Sequence, residues 1–170
     1  MNITHGVLGI ALCAVAATSS LSVAHTLSEA PQSNSPHDSI VVLHNSFQNN
    51  VTTRVRRIVR TQKTLDSLWR LAAPGEGAAP RVAFDRYDVI VAALGDKPTT
   101  HYEVRVVNVE VLASEEVVSI ETTAPPVQCI TGDMVTQPLT IVRFPRPATG
   151  AARNNVRFVD LPVRKVCVRP

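Results

Sequence analysis

Apolar residues in this chain recur mostly at every second position, in short runs closed by polar residues, Pro or Gly. That two-residue period is the mark of half-buried β-strands. Ser39-Ile40-Val41-Val42-Leu43 is short, β-branched and closed by polar residues, which predicts a strand. Thr53 to Arg60 predicts a second, with Val55, Ile58 and Val59 set among Arg54, Arg56, Arg57 and Arg60. Its alternation slips a phase at Arg56-Arg57, as at a bulge or an edge position. Val89-Ile90-Val91-Ala92-Ala93-Leu94 is apolar throughout between Asp88 and Gly95, which predicts a buried central strand. Tyr102, Val104 and Val106 alternate with Glu103 and Arg105; Val107, Val109 and Val111 then take the opposite phase, as across a β-bulge. Ser114-Glu115-Glu116 reads as a polar turn, and Val118, Ile120 and Thr122 return to complete a hairpin. Leu139–Phe144, Val156–Val159 and Val163–Val168 predict three further strands, punctuated by Pro125-Pro126, Pro145, Pro147, Gly150 and Pro162.

One stretch keeps the helical period instead. Leu65, Leu68, Trp69 and Ala72 line one helical face; Thr64 can cap its N-terminus, with Asp66 in the first turn, and Pro74-Gly75 ends it. Trp69 is on this reading a core anchor. Many short strands with one helix predict a mainly β (α+β) domain, an antiparallel sheet or sandwich with one packed helix.

Composition divides the chain. No Lys, Arg, Asp or Glu occurs between Met1 and Ala24, Val7 to Ala17 is apolar, and Ser22-Val23-Ala24 places small residues two apart. Residues 1–24 therefore read as a secretory signal peptide, with an uncleaved anchor or a misassigned start as alternatives. Residues 25–38 are rich in Ser, Pro, Asn, Gln and His and read as a flexible linker that includes His37. Residues 39–170 form the β-rich domain. The net charge of +3 lies wholly outside the leading segment. Scattered cations without interleaved aromatics do not make a nucleic-acid surface. Arg54, Arg56, Arg57, Arg60 and Lys63 read mainly as a solvated edge, with binding of acidic groups as the alternative, and Arg57 as a partner for a nearby carboxylate. Cys13 lies deep in the apolar run with Leu12 before it, the wrong setting for lipidation. That leaves Cys129 and Cys167 in an exported domain, expected to form a disulfide; two buried thiols are the alternative.

Several segments also occur in a familiar order. Arg57-Ile58-Val59-Arg60 precedes Leu65-Asp66-Ser67-Leu68-Trp69, then come Val82-Ala83-Phe84-Asp85, the apolar strand and Gly95-Asp96-Lys97-Pro98-Thr99-Thr100-His101-Tyr102. Glu121-Thr122, Cys129, Val135-Thr136-Gln137-Pro138, Ile141-Val142-Arg143-Phe144-Pro145 and Val156-Arg157-Phe158 follow. From Arg54 to Cys167 this resembles the PrcB-type C-terminal domain, named for a lipoprotein subunit of a bacterial surface protease complex. The resemblance implies an exported bacterial domain without catalysis, whose founding member supports the stability and activity of a partner protease. Two departures stand out. Thr100 and His101 replace two glycines of the family's Pro-Thr-Gly-Gly-Tyr turn, and the loop at Gln137-Pro138 is shorter. A positive φ at either replaced site costs about 1 kcal/mol for a residue with a Cβ. Pro98-Thr99-Thr100 is also locally similar to the inhibitory loop of chagasin-type cysteine-protease inhibitors. Lys97 and His101 differ from that motif, and Arg146-Pro147 lacks its following Trp.

Catalytic chemistry finds little footing. Outside the leader and linker only His44 and His101 are available as bases; one reads as a strand end, the other as a turn residue, and no nucleophile elbow accompanies either. No CxxC or HxxxH spacing supports a metal, and no Gly-rich loop precedes the helix to hold a phosphate. Asp85, Asp88 and Asp96 read as turn formers. The expectation is a non-enzymatic domain without a cofactor that contacts an exported protein, with a protease as the implied partner. It has no nucleic-acid partner, and meets a membrane only through an uncleaved leader. The loop Lys97, Pro98, Thr99, Thr100, His101 and Tyr102 is the expected contact, since a rigid strand positions it and Pro98 limits its backbone. Inhibition of a protease through that loop, and a structural or ligand-binding role in the cell envelope, are the alternatives.

Overall fold

The computed structural model describes residues 40–146 and 155–167. The expected leader and linker, Ser39, Pro147, Gly150 and Val168 lie outside the described residues. Eight strands and one helix follow in the order β1 (Val41–Ser46), β2 (Arg54–Val59), α1 (Gln62–Ala72), β3 (Tyr87–Leu94), β4 (Glu103–Val111), β5 (Glu116–Ala124), β6 (Leu139–Pro145), β7 (Val156–Asp160) and β8 (Arg164–Lys165). Sheet 1 has the order β1-β6-β3-β2, and sheet 2 the order β4-β5-β7 with β8 also on β5.

Sheet 1 is the middle of three layers, which explains its sequence. Val59, Val89, Val91, Leu139 and Ile141 pack with Leu65, Trp69 and Ala72 of α1 on one side. Ile90, Ala92, Val142 and Phe144 pack on the other with Val104, Val118 and Ile120 of sheet 2. A strand covered on both faces has no polar face to alternate with, so β3 reads as an uninterrupted apolar run. The phase slip in β2 has the same cause. Its pairing with β3 is unbroken from Arg54↔Leu94 to Val59↔Val89, so it is an edge strand without a bulge. Val55 packs on the helix side and Ile58 between the sheets. The β4 bulge falls between Val106 and Asn108, where the alternation changes phase.

The helix begins earlier than its sequence suggests. Thr61, extended at φ −140 and ψ 147, is the N-cap, and its hydroxyl accepts from Thr64 N–H at 3.2 Å. Thr64 thus lies inside the first turn, which holds no acidic residue; Asp66 instead accepts from Gln62 Nε2 at 2.8 Å. Trp69 is an anchor of the core, 5% exposed. Gly75, at φ 89, turns the chain away after the helix.

Sheet 1 and the β4–β5 hairpin are antiparallel, but β7 and β8 run parallel to β5. The chain leaves β5, enters sheet 1 as β6, and returns to sheet 2 in the same sense as β5. Leu161-Pro162-Val163 separates β7 from β8, because Pro has no N–H to give a ladder. The strand expected at 163–168 is therefore reduced to Arg164–Lys165.

Candidate functional site

The loop after β3 is set by close backbone approach. A Cβ at Gly95 would meet the Thr52 carbonyl oxygen at 2.7 Å, and its φ of 70 also favours glycine. Lys97 then exchanges backbone hydrogen bonds with Thr136, at 2.8 and 2.9 Å. The Thr136 hydroxyl donates to the Thr99 carbonyl at 2.9 Å. Thr100 Oγ1 accepts from Gly132 N–H at 3.0 Å and lies 3.1 Å from His101 Nδ1. Thr99 Oγ1 donates to the Thr100 carbonyl. The Thr136 and Thr100 hydroxyls stitch the two loops together, while that of Thr99 bonds within its own loop. Of the six expected contact residues Pro98 alone is exposed; Lys97, Thr99, Thr100, His101 and Tyr102 are half-buried. His101 has φ 70, so the turn keeps a left-handed residue where the related turn has glycine.

The partner loop, residues 125–138, is the larger feature and was not singled out from the sequence. Cys129 is bonded to Cys167, with their Cα atoms 5.7 Å apart, so the loop is tied to the chain after β8. It holds Val127 and Ile130 almost wholly in solvent, at 104% and 93% exposure, with Val135 and Met134 also exposed. Gln137 N–H donates to the Phe47 carbonyl at 2.7 Å, bringing in another exposed apolar residue. The usable signal was four apolar residues in a Pro-rich stretch with no period of two. Such residues have no strand face to fill.

Two hollows flank Tyr102. A groove of about 520 Å3 opens between the edge strands β1 and β4, lined by Ile40, Val42, Phe47, Tyr102, Val104 and Val106 among others. It exists because β1 extends sheet 1 past the edge of sheet 2. A recess of about 330 Å3 lies on the other side, with Arg54, Arg56, Lys97 and Lys165 around it. Asp160 is also in its wall, bonded to Arg54 and, at 2.9 Å, to Arg56. Burial raises the Asp160 pKa, but the two guanidinium groups outweigh it and hold the carboxyl below its usual range. The expected solvated edge is thus only partly so: the Arg56 side chain is 11% exposed and also donates to the Val55 and Ala93 carbonyls. Arg57 is exposed and has no ion pair among the described residues.

At the opposite end of β3 the two sheets enclose charge. Asp88, expected in a turn, is fully buried and ion-paired with Arg60 at 3.3 Å and Arg146 at 3.9 Å. Glu116, also expected in a turn, is the first residue of β5 and fully buried. Burial and then the charge of Asp88 push its carboxyl up to about 7, against the opposing pull of Arg60. His44 is inside β1, with Nε2 3.2 Å from the Ala72 carbonyl and Nδ1 3.2 Å from Glu76. The two histidines are thus in different structural settings, and no three of His, Cys, Asp and Glu converge among the described residues.

The family model described as PrcB C-terminal matches residues 89–145, supporting a PrcB-type C-terminal domain. The match runs from β3 through β6, and so includes the Lys97–Tyr102 loop and the loop of Cys129; it is narrower than the Arg54–Cys167 resemblance. The chagasin-type similarity gains no support. No curated protein and no solved structure matches the chain.

Proposed function

We propose that this chain is an exported, non-catalytic interaction module that stabilises or modulates a partner protease. The PrcB-type match is compatible with association in a protease complex. The observation that carries the contact reading is the disulfide-tethered loop presenting Val127 and Ile130 to water. Exposed apolar side chains on a fixed loop mark a surface that is covered in use. Pro98 and the rim of the β1–β4 groove extend the same surface, while the Thr100 hydroxyl and the Thr99 carbonyl, both bonded to the neighbouring loop, argue against a role as the protruding edge of an inhibitor. Export is the setting in which the Cys129–Cys167 bond persists.

The test captures partners from cell-envelope extract with the mature domain and with a Val127→Asp/Ile130→Asp variant. A protease retained by the first and lost by the second, at unchanged melting temperature, is the expected result. Equal retention by both removes this loop from the contact surface. Capture of no protease by either removes the protease from the reading.

A further inference from the structure

We propose that the basic recess beside Tyr102 binds the terminal carboxylate of a polypeptide that ends in an apolar residue; this rests on the contact function above and specifies the chemistry of its partner. Four cations surround the recess, and a single carboxylate, Asp160, stands among them. Arg56 is consumed by Asp160 and by two backbone carbonyls, and Arg54 is held by Asp160. Lys97 and Lys165 have no side-chain ion pair among the described residues, and both line the recess. They supply two ammonium groups from separate segments, one on the loop after β3 and one on β8.

The rest of the wall sets the remainder of the ligand. Leu161 and Val163 are 36% and 51% exposed there, and Leu94 and Ala124 complete an apolar lining. A small inorganic anion leaves these side chains uncovered. A chain terminus carries its apolar side chain on the carbon bonded to the carboxylate, so both groups fit together within about 330 Å3. Asp160 remains ionised beside the Arg pair, which favours a singly charged ligand over a dianion. Pre-placed cations next to an apolar wall are the usual composition of a selective small pocket.

The probes are acetyl-Ala-Ala-Val-Leu with a free carboxylate, the same peptide as its amide, and decanoate, each titrated into the mature domain by calorimetry. The free acid is expected to bind at least about tenfold more tightly than the amide, as for a hydrogen-bonded charge pair. Lys97→Ala/Lys165→Ala should abolish that difference without moving the melting temperature, and Arg57→Ala, outside the recess, should leave it intact. Equal binding of acid and amide, binding of neither, or the same loss in Arg57→Ala overturns the proposal. Tighter binding of decanoate than of the peptide acid overturns the polypeptide terminus in favour of a fatty acid. These outcomes are separate from partner capture, which is read through Val127 and Ile130.

Discussion

His101 carries a left-handed backbone in a turn whose relatives use glycine, and its replacement series isolates the cost of a Cβ there. His101→Val should lose about 1–2 kcal/mol in urea unfolding, since a β-branched residue is the least tolerant of positive φ. His101→Gly should stay within about 0.5 kcal/mol of the parent, because relief of the φ cost is offset by greater freedom of the unfolded chain. A Val variant as stable as the parent would show that the turn readily takes another shape. The substitution of the two glycines was visible in the sequence, but which of the two positions needed the positive φ was not. Glu116 was hidden altogether, because adjacent glutamates read as solvent-facing until the sheets close over one of them. Its carboxyl is raised from an ordinary 4.5 to about 7, so the folded state binds more protons than the unfolded one between those values. Stability should therefore fall as pH rises from about 5 to about 7, by up to roughly 3 kcal/mol. Glu116→Gln should match the parent near pH 5 and exceed it near pH 8 in thermal melting. Parallel pH profiles for the two proteins would remove this assignment.

Among the elements, those with a covered face were legible and those defined by a distant partner were not. The runs that became α1, β3, β4 and β6 carry their packing in their own periodicity, down to the bulge in β4. The helix start was missed by three residues because Thr61 and Thr64 are equally good caps by type, and only the extended backbone at Thr61 decides between them. The long loop from 125 to 138 has no period to read, yet it is the most exposed apolar element. Its bond to Cys167 spans 38 residues of sequence, and closing such a loop stabilises the fold by about 4 kcal/mol in the chain-entropy account. Cys129→Ser/Cys167→Ser should lower the denaturant midpoint accordingly and raise amide exchange in the loop and in β8 before the rest of the domain. Unchanged exchange in both segments would mean that the backbone bonds between Lys97 and Thr136 and between Thr100 and Gly132 hold the loop unaided.

For the whole molecule, mainly β with one packed helix was legible, whereas the direction of β7 was not, because a short Val-Arg-Phe-Val strand fits either neighbour sense. The surface was the least legible scale. Its hollows are bounded by residues from several stretches far apart in sequence. The parallel pairing of β5 with β7, from Glu116↔Val156 to Ile120↔Asp160, has a consequence in time. Between those strands the chain passes through sheet 1 as β6, seated between β1 and β3. Sheet 2 is therefore completed only by a strand that follows β6, and the two sheets are expected to form together instead of in separate stages. Pairings of such sequence separation are slow to find. Refolding should take milliseconds to seconds, with Trp69 fluorescence beside sheet 1 and far-ultraviolet dichroism recovering at one rate. A Trp69 signal that returns well ahead of the dichroism would instead reveal sheet 1 and its helix assembling as an independent early structure.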